Sequence, residues 1–413
     1  MRRGNIFNPP PHAGEGDHAQ HGGGGGRIRR ASSPTAAPDP APSTASRSPS
    51  PVPLRCSGED WSRRTLLASS LALAACGPVE TVAQPDRLVP VLKDIAPFPI
   101  GACVPTAYLD DPAWVDLATR QLSQLTPEWE LKMEYVLQDG DGSYRFEAPD
   151  RIAAFARQHG MRLYCTTLIW YSQVLPFFRD LDPSRVGAEY DRYIAAVVGR
   201  YAGQAVGWDV VNEAVAEDGI GLRDTFWGQT LGGEDAYIAR AFHQAKAADP
   251  DAILFINEYN LENNPVKGAT YLRLIEKLLK AGVPIGGIGV QSHLDIEIPD
   301  GNIRTFMRDA GQLGLPIHVS ELDASLRREG RLPDLRTKAE KREKQVARVA
   351  ELAEAFMALP AAQRFGFTTW GLRDIDSWLR RPPQDDGKDS MLLFDAKSRP
   401  NPMFWPVAEA FAR

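Results

Sequence analysis

The chain has 413 residues, with 47 Lys and Arg against 53 Asp and Glu for a formal net charge of −6. That balance, without a concentrated basic stripe, argues against nucleic acid as the main partner. Of its four cysteines only Cys103 and Cys165 lie beyond residue 76, too few for a disulfide framework or a zinc site.

Residues 1–60 are crowded with Pro, Gly, Ser and Ala, including GGGGG and SRSPSPVP. Such a stretch cannot bury enough apolar surface to offset its ordering entropy, so it reads as a disordered extension or an overlong gene model. Within residues 61–76, Ser62-Arg63-Arg64-Thr65-Leu66-Leu67 leads into an apolar run too short to span a bilayer. Paired arginines ahead of such a run fit a twin-arginine export signal. Leu73-Ala74-Ala75-Cys76 has the form of a bacterial lipoprotein box, which makes Cys76 a lipidation candidate; a plain cleaved signal with an incidental cysteine is the alternative. The protein is therefore expected to be exported, periplasmic or at the cell surface, with a candidate lipid anchor to a membrane. Residues 77–97 read as a linker, and 98–413 as one folded domain.

From about residue 98, short β-type runs alternate with amphipathic helical stretches. The expected strands are Ile100–Val104, Leu125–Pro127, Leu163–Trp170, Ala205–Val211, Ile253–Asn257, Gly287–Gln291, Ile317–Ser320 and Gly366–Trp370. Several are nearly continuous apolar runs, as parallel strands covered on both faces should be. Between them lie helical patterns such as EYDRYIAAVVGRYA and ATYLRLIEKLLKAG, the latter with Lys280 in its last turn and Gly282 as a stop. Eight βα units favour an α/β fold of the closed (β/α)8 type, the TIM barrel. A doubly wound sheet is the alternative, but no Gly-rich phosphate turn follows the first strand. The charged stretch from Arg327 to Leu352 reads as a solvated loop and helix.

Two glutamates stand out at strand ends: Glu213 in GWDVVNEA and Glu321 in PIHVSELDA. In such a barrel the site forms where strands end and βα loops begin, so residues a hundred positions apart can share one cleft. Two carboxyl groups there suit acetal hydrolysis, one protonating the leaving oxygen and the other attacking the anomeric carbon. Asn212, Gln291, His293, Trp370 and Trp378 supply amides and flat apolar faces suited to sugars. Taken singly, a glutamate ending a strand is more often a helix cap, and Lys132 beside Glu130 and Glu134 has an ion pair as its alternative. Trp208 and Trp405 read as core, Trp227 as core or cleft rim, and Cys165 as a small core hydrophobe. His243 reads as packing or surface. His318, of opposite parity to Glu321, is expected to face the helices. No His, Cys, Asp and Glu cluster has ligand spacing, so no metal or cofactor is expected.

The ordered run TPEWELK, TTLIWYSQ, WDVVNEA, NEYN, GIGVQSH, VSELD, TTWGLRDIDSW and LLFDAKSRPNPMFW resembles glycoside hydrolase family 10, the endo-β-1,4-xylanase family, from about Ile100 to Phe411. The resemblance implies a retaining mechanism with Glu213 as acid/base and Glu321 as nucleophile, supported by His293 and Asp323. It implies substrate contacts from Glu128, Lys132, Trp170, Gln173, Asn212, Tyr259, Gln291, His293, Trp370 and Trp378. The substrate it implies is xylan or a xylo-oligosaccharide, hydrolysed without a cofactor. The chain departs from the family pattern at Trp129, usually Asn, and at Thr166 and Tyr171, usually His. These leave open another β-glycan, a substituted or short xylo-oligosaccharide, and a glycan-binding lipoprotein without catalysis.

Overall fold

The structure, a computed structural model, describes residues 88–138, 140–327, 334–380 and 389–413. The expected low-complexity extension and export signal, including Cys76, lie outside the described residues. Leu92–Ile95 forms a short helix with Leu92 buried, so packed structure begins inside the stretch read as linker.

Eight parallel strands form the frame: β1 (Ile100–Val104), β2 (Gln124–Pro127), β3 (Arg162–Cys165), β4 (Ala205–Asn212), β5 (Ile253–Glu258), β6 (Gly287–Val290), β7 (Ile317–Ser325) and β8 (Arg364–Thr369). Each pairs with the next, and β8 returns to β1 through Ile100↔Phe367 and Ala102↔Thr369, closing a TIM barrel. Closure leaves none of these eight strands at an open edge. The helices between the strands cover the outside, from Pro183–Arg200 to Lys338–Met357.

Local chemistry starts and stops these helices where the pattern predicts. Asn264 accepts the backbone N–H groups of Val266 and Lys267, Pro265 takes the first helical position, and Pro265–Lys280 ends before Gly282 at φ 79°. A left-handed residue there suits glycine.

The strand expected over Leu163–Trp170 is split into β3 and a two-residue strand, Ile169–Trp170. Cys165 pairs with Trp208 and Ile169 with Val211, so four steps on one side meet three on the other, and the chain bows out at Thr166–Leu168. The strand expected to stop at Ser320 runs on to Ser325, because His293–Asp295 pairs alongside it. Glu321 therefore lies inside β7 rather than after it.

The barrel interior is filled near its base by Tyr164, Phe255 and Phe365. His318 belongs with them: its ring centroid is 4.2 Å from that of Tyr164, and its Nε2 lies 2.8 Å from Thr368 Oγ1. The expectation that it faces the helices is wrong, and register explains why. From Val319 to Leu322 β7 advances three residues while β8 advances two, from Phe367 to Thr369. This bulge changes the phase of the alternation, so His318 and Glu321, of opposite parity, both point inward. Burial keeps the His318 imidazole's pKa well below the ordinary histidine value, with Arg162 adding to the effect.

Candidate active site

The strand bearing the other glutamate carries the same device. β4 moves from Asp209 to Val211 while β5 moves one residue, from Phe255 to Ile256. Asp209 and Asn212 consequently both meet interior residues, Tyr164 and Asn257. Beyond the bulge the chain turns sharply, and Glu213 adopts φ 60°, a left-handed conformation uncommon for a residue with a side chain. Its N–H is bound to Asn257 O at 2.8 Å. The backbone ladder continues around the rim, with Gln291 N on Glu258 O, Glu321 N on Gln291 O and Trp370 N on Leu322 O, each at 3.0 Å.

These ties bring both glutamates into one hydrogen-bonded network. Asn257 Nδ2 donates to Glu321 Oε1 at 2.7 Å and to Asn212 Oδ1 at 3.0 Å, while Asn212 Nδ2 donates to Glu213 Oε1 at 3.0 Å. Gln291 Nε2 lies 3.1 Å from Glu213 Oε1 and 3.2 Å from Asn212 Oδ1. Trp170 Nε1 donates to Glu213 Oε2 at 2.8 Å. Ser320 Oγ donates to Asn257 Oδ1 at 2.8 Å. Asn257 is thus the centre of the site, and the sequence reading passed over it; its place at the close of a strand, in NEYN, was the available signal. Room for it comes from Gly289, where a Cβ would lie 2.5 Å from Asn257 Oδ1.

On the β6 and β7 side, His293 Nε2 lies 3.4 Å from Glu321 Oε2, and its Nδ1 lies 3.0 Å from Asp323 Oδ2. Trp378 Nε1 donates to the same Asp323 oxygen at 2.9 Å, and its ring meets His293 edge to face. Burial opposes a charged imidazole, but the Asp323 and Glu321 carboxylates outweigh it and hold His293 well above the ordinary histidine pKa.

On the β2 side Glu128, Lys132 and Gln173 are all buried. Glu130 accepts from Thr106, and Lys132 Nζ stands 5.1 Å from the centre of the Trp170 ring and 5.8 Å from that of Trp370. Gln173 Nε2 donates to Glu134 Oε1 at 2.9 Å.

Tyr259 lies within electrostatic reach of Glu213. It is buried with its hydroxyl on Glu217, and Arg223 Nη2 lies 2.8 Å from the same oxygen. Among the other singled-out residues, Trp208, Trp227 and Cys165 are fully buried, Trp405 packs half-buried on the core, and His243 is exposed.

The three departures also take up definite surroundings. Trp129 is half-buried with its ring edge-on to Tyr135 at 4.9 Å. Thr166 is buried beside Asp209. Tyr171 lies under the Arg223 guanidinium at 4.3 Å, and its hydroxyl is pushed up to about 12 by burial and by Glu213.

A family model described as Glycosyl hydrolase family 10 matches residues 92–410. The chain is 34% identical over 343 residues to the exoglucanase XynX of Acetivibrio thermocellus, a match covering 79% of this chain and 29% of that protein. It is also 34% identical over 334 residues to an endo-1,4-beta-xylanase of Geobacillus stearothermophilus, covering 77% of this chain and 98% of the relative. The chain thus spans under a third of the first of these relatives and nearly all of the second. Among solved structures, xylanase XynB from Paenibacillus barcinonensis, complexed with a conduramine derivative, is 31% identical, with a TM-score of 0.71 over 78% of this chain and 99% of that one.

Proposed function

The chain belongs to glycosyl hydrolase family 10, and from that premise we propose that it is a retaining endo-1,4-β-xylanase with Glu213 as acid/base and Glu321 as nucleophile. The observation that carries this reading is the bridge through Asn257 and Asn212, which binds both carboxyl groups into one network. In the first step Glu321 attacks the anomeric carbon while Glu213 gives its proton to the departing oxygen. In the second, Glu213 takes a proton from water, which releases the sugar from Glu321 with its configuration retained.

The neighbours suit these roles. Glu321 is held from two sides, by Asn257 and by His293 backed with Asp323, so that one oxygen can be presented to the sugar. Trp370 and Trp378 offer faces to pyranose C–H groups, and Lys132 and Glu128 offer charged partners to hydroxyls.

Glu321→Gln is expected to abolish release of reducing ends from xylan, and proton NMR of the wild-type reaction should show the β-anomer first. An undiminished Glu321→Gln variant, or an α-anomer formed first, would refute the assignment. A relative named as an exoglucanase gives reason to include cellulose and short xylo-oligosaccharides beside xylan in the panel. Faster turnover of those would move the specificity towards the alternatives that Trp129, Thr166 and Tyr171 raise. Export through the paired Arg63 and Arg64, with acylation of Cys76, completes the proposal. An unacylated Cys76 in mass spectra of the mature protein would remove the anchor from it.

A further inference from the structure

Behind the rim, one arginine closes on the main chain of Glu213. Directly after Glu213 the chain makes a short excursion and returns: Val215 bridges Leu222 antiparallel, and Arg223 N donates to Ala214 O at 2.9 Å. The return places the Arg223 side chain back over the residue where the excursion began. Its Nε donates to the Glu213 carbonyl oxygen at 2.9 Å, and its Nη2 reaches Glu217 Oε2 at 3.0 Å and the Tyr259 hydroxyl at 2.8 Å. The Tyr171 ring lies beneath the guanidinium at 4.3 Å, and the arginine side chain is 14% exposed.

A second anchor holds the next peptide but one. Glu258 Oε2 accepts from Val215 N at 2.9 Å, and Glu258 Oε1 pairs at 3.0 Å with Lys267 Nζ, both side chains being wholly buried. With Asn257 O on its N–H, Glu213 is gripped on both sides of a left-handed φ that a glutamate would otherwise leave.

We infer that Arg223 is a positioning residue that fixes the Glu213 carboxyl where a leaving oxygen must be protonated. The inference rests on the proposed acid/base role of Glu213. Arg223 acts through the main chain, setting the direction of the Cα–Cβ bond of Glu213 through the carbonyl it binds. In the step it serves, the C1–O bond breaks, a Glu321–C1 bond forms, and the proton passes from Glu213 to the leaving oxygen. A leaving group stable as an anion needs no such proton, and this separates positioning from general structural damage.

The test compares kcat/KM of Arg223→Met and wild type on two aryl β-xylobiosides, one releasing phenol and one releasing 2,4-dinitrophenol. A loss of about 30-fold on the phenyl substrate is expected, a part of the roughly 100- to 10,000-fold that general acid catalysis supplies, against about two-fold or less on the dinitrophenyl substrate. Equal losses on both, or no loss on either, overturn the inference. Should Arg223→Met fail to fold, Tyr259→Phe removes one of the two acceptors of Nη2 while keeping the ring. It is expected to show the same selectivity at about three-fold, and equal effects on the two substrates would again overturn the inference. A wild-type chain that cleaves neither xyloside defeats the xylanase reading itself, and the positioning role with it.

Discussion

Asn257 shows how much one amide can organise. Its single NH2 group serves both Asn212 and Glu321, and its oxygen is occupied by Ser320. A hydrogen bond to a charged group contributes about 1.5–3 kcal/mol, so Asn257→Ala should lower kcat/KM on xylan about 10- to 100-fold, read from initial rates. Unchanged kinetics would mean the bridge is incidental. His293 makes a prediction about pH. Its pKa is raised in the fold, chiefly by Asp323 acting against burial. A raised pKa contributes stability that is fully present below the ordinary histidine value of about 6.5 and is lost as pH climbs through the raised one. Melting curves from about pH 5 to about pH 10 should therefore show the gap between wild type and His293→Gln widest on the acid side and closing on the alkaline side.

At the scale of elements, the two bulges matter more than the strands they interrupt. Without them, period-two alternation would bring Asp209 and His318 inward and turn Asn212 and Glu321 out towards the helices. A bulge is invisible in an apolar run such as VGWDVVN, because residues on both faces of a covered strand are hydrophobic and no polar face marks the phase. That is why six of the eight strands could be placed from sequence to within two residues, while the break after Cys165, the extension to Ser325 and the orientation of His318 could not. Helix ends were more legible, since capping is decided by neighbours in the chain. Asn264→Ala at the helix that carries Lys267 should cost about 1 kcal/mol, lowering Tm by about 2–4 °C by calorimetry while kcat stays near wild type. A much larger loss would show that Asn264 does more than cap.

Across the molecule, closure of the barrel joins segments from opposite ends of the chain. Phe98 packs edge-on against Phe356 and Phe411 at 4.9 Å each, and Phe367 of β8 meets Phe411 at 5.1 Å. Phe411→Ala empties a buried aromatic site in this seal and should cost about 3–5 kcal/mol, measured by denaturant unfolding; a cost under about 1 kcal/mol would mean the terminal helix is only loosely docked. From sequence alone came the eight strands, their parallel sense, the two glutamates and most of the amides and aromatics around them. These are properties of local periodicity, of capping and of residue types at strand ends. Tertiary structure alone decided that Asn257 joins the two acids, that His318 lies inside the barrel, that Lys132 sits between two tryptophans, and that Arg223 grips the Glu213 carbonyl. Each of these depends on register between strands distant in the chain, and register arises only when the sheet closes and each side chain meets neighbours that local sequence does not specify.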